Sequence, residues 1–332
     1  MGTGLASTGR PGRKWSTPPS TRPPRSLRSG DSANTHGAFA ASEASTALVA
    51  SARGTRLDHD ANVTPWALVC RDTGASHHLV PFDTRSGRLD PDAVIDRIGP
   101  RTRWIAITAA SNALGTMPDI ATVIAGAHER GVRVFVDGVH LVPHAPVDLA
   151  TLGCDVFVTS PYKWYGPHAG IMWIAPDLRD SIEPYKVRPA SDHAPERWET
   201  GTPSFENIAA IDAAADFLLD EGIDRIAAAE SASFATLLDG LLADPTVTVL
   251  GPHDLVDRTP TVSFNVAGHH PDAVAHHLAS QRVAVWSGNY YAVETMAALG
   301  LTATGAIRAG LSAYTDADDV SRLLDGLRTL DR

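Results

Sequence analysis

Three short apolar runs, at residues 104–109, 132–136 and 156–159, constrain this chain more than any other feature. Each is too short for a core helix, each is flanked by a stretch with helical periodicity, and each reads as a buried strand. Strands alternating with helices predict a doubly wound, mostly parallel sheet with helices on both faces. Asn112, Asp137 and Lys163 follow these three runs within a few residues. In such sheets ligands gather outside the carboxyl ends of the strands, so the three side chains are expected at one rim.

The same pattern can be followed along the rest of the chain. Residues 38–52 are alanine-rich and predict a helix; residues 67–70 and 78–80 predict short strands; residues 90–98 predict a helix opened by acidic residues. Helical stretches at 120–129 and Leu149–Leu152 separate the central strands, and 170–174 predicts one more strand. From about residue 208 the character changes. Helices at 208–220 and 223–242 precede strands at Val247–Leu250 and Thr261–Val266, a helix at 272–281, strands at 283–286 and 307–311, and a closing helix at 316–330. The expectation is a large domain over 34–205 and a smaller α+β domain over 206–332.

Residues 1–30 carry six basic residues and no acidic one among many Pro, Ser, Gly and Thr, a composition that buries no core, so residues 1–33 read as a disordered tail. The whole chain has a formal charge of −10, which argues against nucleic acid as a partner. No apolar run approaches the ~20 residues that span a bilayer, so no membrane association is expected. Cys70 and Cys154 are the only cysteines. Two cysteines make no disulfide framework, and a cytoplasmic setting is the expectation.

An amine just past one buried strand and a carboxylate at the tip of the preceding one are what pyridoxal phosphate chemistry requires. The amine of Lys163 would form an imine with the aldehyde, and Asp137 would keep the pyridine nitrogen protonated so that the ring accepts electrons. Competing readings exist for each residue. His59 also suits the cap of a turn, and Arg308 also suits a surface pair with Asp316 or Asp318. His140 and His144 are spaced like a metal pair on a helix, but Pro143 between them opposes a helix and no third ligand is evident, so no metal is expected. Ser160 and Lys163 fit the Ser-x-x-Lys nucleophile motif, whose companion Ser-Asp-Asn and Lys-Thr-Gly motifs do not follow.

Taken jointly, residues 56–66, 110–116, 134–173 and 198–203 resemble the class V aminotransferase family of fold-type I pyridoxal-phosphate enzymes, in its cysteine desulfurase-like branch; the resemblance runs from about 34 to 327. It implies Lys163 as the Schiff-base lysine, Asp137 at the pyridine nitrogen, and His140 and Asn112 near the ring hydroxyl. It further implies His59 stacked on the ring, Ser160 on the phosphate, and Gly201 with Thr202 reaching the phosphate of a second subunit in a homodimer. Arg308 would clamp a substrate carboxylate, with Asn34 and His36 at the substrate entrance. The implied substrate is a small amino acid or amine.

The chain departs from the family pattern in three places. A segment that family members carry between positions 53 and 56, including a helix whose N-terminus grips the phosphate, has no counterpart, which weakens the expected hold on that anion. The loop 286–293, where desulfurases carry a mobile cysteine, has no thiol, and Tyr162 stands where a histidine is common. The expectation is therefore a pyridoxal-phosphate enzyme without the desulfurase cysteine. The alternative is a non-catalytic relative that keeps the fold for dimerisation or binding.

Overall fold

The computed structural model describes residues 51–199 and 201–330. Asn34, His36, the basic tail and all but the last two residues of the helix expected at 38–52 lie outside the described residues.

Six strands form the first sheet: β1 (Ser51–Thr55), β2 (Ser76–Val80), β3 (Thr102–Thr108), β4 (Arg133–Asp137), β5 (Val156–Thr159) and β6 (Ile171–Ile174). Their order is β2-β1-β3-β4-β5-β6, parallel throughout except for the antiparallel β5–β6 pair at one edge. Alternation of side chains across the pleat explains why these strands read as unbroken apolar runs. Ile105, Ile107, Val134, Val136 and Phe157 point into one core, where the helix Ile120–His128 covers them with Val123, Ile124 and Ala127. Trp104, Ala106, Phe135, Val156 and Val158 point into the other, against Trp66, Cys70 and Leu178 from the helices Thr64–Thr73 and Pro176–Ser181. The sheet is α/β and covered on both faces, as expected.

Two local expectations fail in the first half of the chain. Residues 67–70 are helical, because Pro65 starts and left-handed Gly74 stops a helix that buries Trp66 and Cys70, four residues apart, on one face. Ser51 and Ala52 belong to β1 rather than to a helix. That strand pairs with β2 on one side and β3 on the other.

The second sheet contains β7 (Val247–Leu250), β8 (Thr261–Val266), β9 (Trp286–Gly288) and β10 (Ala306–Gly310) in the antiparallel order β7-β8-β10-β9. The strand expected at 283–286 begins only at Trp286. Val262, Phe264 and Ile307 meet the helices Ile223–Ala243, Pro271–Ser280 and Ala317–Arg328. Ile223–Ala243 is long and apolar enough by composition to cross a membrane. Its buried residues Ile226, Phe234, Leu237, Leu238 and Leu241 recur at helical spacing, which marks the core-facing stripe of a packed helix. The first core also takes in Tyr290, Ala292, Met296 and Ala306, so the two sheets share packing around one cleft.

Candidate functional site

Adjacent parallel strands β3, β4 and β5 deliver Asn112, Asp137 and Lys163 to the same rim, where they line one pocket with His59, His140, Ser160 and Tyr162. Asp137 is the last residue of β4 and is only 4% exposed; its Oδ1 accepts from Val139 N at 2.9 Å. The following glycine is tightly packed: a Cβ on Gly138 would lie 1.9 Å from the Phe157 ring, so a larger residue there must displace that ring or the turn leaving β4. Lys163 ends a single 3-10 turn opened by Pro161 after β5, with its N–H bonded to Ser160 O at 3.0 Å. Burial lowers its pKa, the Asp137 charge opposes that shift, and Arg308 adds to it. An amine so placed is easier to free of its proton than a surface lysine.

His59 both caps a turn and faces the pocket. Its Nδ1 accepts from Ala61 N at 3.1 Å, and its ring lies 5.5 Å from that of Tyr291. His140 places Nε2 3.0 Å from Thr261 Oγ1 and 3.2 Å from Thr259 Oγ1. Burial, then the fields of His144, Lys163 and Arg308, hold its pKa well below the usual imidazole value, so it is neutral near pH 7. Its neighbour His144 bonds through Nδ1 to Glu230 Oε2 at 2.8 Å. Asn112 donates Nδ2 to Tyr290 O at 2.9 Å, while its buried Oδ1 has no hydrogen-bond partner. An orphaned acceptor on a pocket wall is costly unless a ligand or solvent meets it.

Arg308 lies on β10 and does not itself line the pocket. Its Nη1 donates to Asn112 O at 2.8 Å, and its guanidinium sits 4.8 Å from the Tyr290 ring centroid and 5.9 Å from that of Trp286. It does not pair with Asp316, which caps the last helix by accepting from Asp319 N. Ser160 is 2% exposed at the pocket wall. Gly201 and Thr202 are exposed and do not line this pocket. Both cysteines are buried; the Cys154 thiol is pushed up to about 12 by burial and by Asp155. Neither is a reactive thiol.

Several residues that shape the site had no sequence signal. Thr259 and Thr261 reach His140 from more than a hundred residues away. Asp58 is buried beneath the His59 turn, and the carbonyls of Tyr290 and Tyr291 accept from Asn112 Nδ2 and from Asp60 N, behind the pocket wall.

Residues 49–323 match the family Aminotransferase class-V. A cysteine desulfurase of Klebsiella pneumoniae is 34% identical over 287 residues, which is 82% of this chain and 69% of that protein. The cysteine desulfurase of Cronobacter sakazakii is 34% identical over 291 residues, 84% of this chain and 70% of its own length. Among solved structures, the cysteine desulfurase CsdA of Escherichia coli superposes with a TM-score of 0.82 at 26% identity, covering 91% of this chain and 77% of that one. The apo cysteine desulfurase of Thermococcus onnurineus shares the fold, with a TM-score of 0.84 at 24% identity over 91% of this chain and 78% of its own.

Proposed function

Because the chain belongs to the aminotransferase class-V family, we propose that it is a pyridoxal-phosphate enzyme that acts on a small amino acid or amine at Lys163, in the cysteine desulfurase-like branch but without cysteine-based sulfur transfer. The observation that carries this is the convergence of Lys163, Asp137 and the unsatisfied Asn112 Oδ1 on one pocket from three neighbouring strands. The donor set fits the cofactor: one amine of lowered pKa, one buried carboxyl, one neutral imidazole and one buried hydroxyl.

When bound, the pyridine ring supplies an electron sink for the substrate's α-carbon. Lys163 would hold the cofactor through Nζ and, once displaced by the substrate amine, take the α-proton there. Asp137 would keep a proton on the ring nitrogen. Asn112 and His140 would meet the ring hydroxyl, His59 would cover the ring face, and Ser160 would take a phosphate oxygen. Arg308 would bind the substrate carboxylate, for which its planar fork is suited. Gly201 and Thr202 would complete the phosphate site of a second copy in a homodimer, with Asn34 and His36 near the substrate entrance.

The loop 286–293 offers two tyrosines where sulfur transfer needs a thiol, and Cys70 and Cys154 are sealed in the cores. The reading therefore predicts cofactor chemistry without persulfide formation. Full-length protein mixed with pyridoxal phosphate should develop a visible absorbance band; borohydride should bleach it and leave the cofactor joined to Lys163 Nζ as a secondary amine, and Lys163→Ala should show neither. A colourless wild-type protein that leaves the cofactor freely dialysable would sink the proposal and favour the non-catalytic alternative.

A further inference from the structure

Behind His140 the chain turns back on itself, with Leu141 N bonded to Gly138 O and His144 N to Leu141 O, so that the two histidine rings meet edge-on, 5.4 Å between centroids. His144 is anchored on its far side by Glu230, Nδ1 to Oε2 at 2.8 Å, and the two side chains are only 8% and 2% exposed. Glu230 sits midway along the helix Ile223–Ala243, on the stripe otherwise built from Ile226, Phe234, Leu237, Leu238 and Leu241. A leucine there would continue the apolar stripe. The glutamate gives up hydration instead, and its second oxygen, Oε1, has no hydrogen-bond partner. Burying such a pair offsets most of its own attraction, so packing stability does not account for it.

We infer that His144 and Glu230 are a positioning pair for His140. The Glu230 carboxylate fixes the His144 ring through Nδ1, and that ring in turn presses edge-on against His140. On its other side His140 gives Nε2 to Thr259 and Thr261. Clamped between the threonines and His144, the His140 ring keeps one orientation and one tautomer, and Nδ1 is the nitrogen the threonines leave untaken. The charged and titratable groups acting on this cluster are Glu230 from its helix, Lys163 from the turn after β5, Tyr165 just beyond it and Arg308 from β10. The pair spans the two halves of the chain: it fastens a helix over the second sheet to the turn that leaves β4.

The geometry stands without any cofactor, whereas its consequence for cofactor binding rests on the function proposed above. The test separates the two. In full-length cofactor-free protein, ring 15N spectra should show a single His140 tautomer and a His144 protonated at Nδ1. Glu230→Leu should turn His140 into a tautomer mixture and weaken pyridoxal phosphate binding about tenfold, the equivalent of about 1.4 kcal/mol. Glu230→Gln, which still accepts from His144 Nδ1, should restore both to near wild-type values. A purely structural role predicts that leucine leaves both readouts alone and raises the urea midpoint, and that pattern overturns the inference. If Glu230→Leu does not fold, the wild-type spectrum decides, because a bare Nδ1 on His144 also overturns it. Absence of cofactor binding in the wild type would count against the proposed function, while the nitrogen spectra would still judge the pair.

Discussion

Asp58 is fully buried beneath the turn that carries His59, where it accepts from Thr55 N, Thr55 Oγ1 and Asn62 Nδ2. Burial pushes its carboxyl up to about 8 from an ordinary 3.8; the bonds from Thr55 and Asn62 resist that rise, and the charge of Asp137 adds to it. A carboxyl whose folded value exceeds its unfolded one favours the fold fully while it is protonated in both states. That contribution is lost as pH rises through the window between the two values, at no more than about 1.4 kcal/mol per pH unit. Urea midpoints should therefore decline between about pH 5 and pH 8 more steeply in the wild type than in Asp58→Asn, which cannot titrate. Equal slopes would show that the three bonds keep Asp58 ionised. At this scale the sequence located the rim where Lys163, Asp137 and Asn112 line one pocket, because each follows a strand whose apolar run is plain. It did not reveal Asp58, since a buried acid and a turn acid look alike until the core is assembled around them. Glu230 was hidden for the same reason.

The segments that shape the pocket are held by close approach more than by secondary-structure propensity. Gly138 is the clearest case, because Asp-Gly after a strand reads as an ordinary turn while the structure shows a glycine pressed against Phe157. Gly138→Ala should destabilise the protein by about 1–3 kcal/mol, the usual cost of overpacking, and displace Asp137 at the pocket. Adding Phe157→Leu should recover much of that loss in thermal melts; a double variant no better than the single would place the strain elsewhere. Tyr290 and Tyr291 are a second case. Both adopt left-handed backbone angles, φ 51° and 57°, which non-glycine residues reach only at a cost. Their carbonyl bonds to Asn112 and Asp60 hold them there, so Asn112→Ala should loosen the segment, read as faster amide exchange across 289–292, without unfolding the sheet. Element types were legible wherever the periodicity was long. Residues 67–70 misled because four apolar residues suit a strand or a helix equally, and the deciding signals, Pro65 and Gly74, lie outside the run.

Across the whole molecule, the second sheet is fastened to the first through the turn at 111–116, the same turn that presents Asn112. Thr259 N donates to Gly115 O at 2.8 Å, Ser263 Oγ to Ala113 O at 2.7 Å, and Arg308 Nη1 to Asn112 O at 2.8 Å. Gly115 makes this docking possible, since a Cβ there would lie 2.5 Å from Thr261 O. Arg258 ties the junction together: it bonds Pro252 O, reaches Thr261 O at 2.7 Å and Leu114 O at 3.4 Å, and lays its guanidinium 4.5 Å from the Phe234 ring centroid. Burial lowers its pKa to about 10, with Asp254 opposing and Arg88 adding to the shift, so it stays charged at pH 7. Removing it strands several carbonyls at once, and a charged donor of this kind contributes about 1.5–3 kcal/mol per bond lost. Because Pro252 O and Leu114 O lie at the join and Thr261 O at the very start of β8, the damage should fall on the coupling between halves. Arg258→Ala should lower the urea midpoint, and tryptophan fluorescence and far-ultraviolet dichroism, coincident in the wild type, should separate in the variant. It should also weaken cofactor retention, although Arg258 touches no cofactor, because the turn bearing Asn112 loses its backing. An unchanged midpoint with coincident transitions would mean that the shared core around Tyr290, Met296 and Ala306 holds the halves together without Arg258.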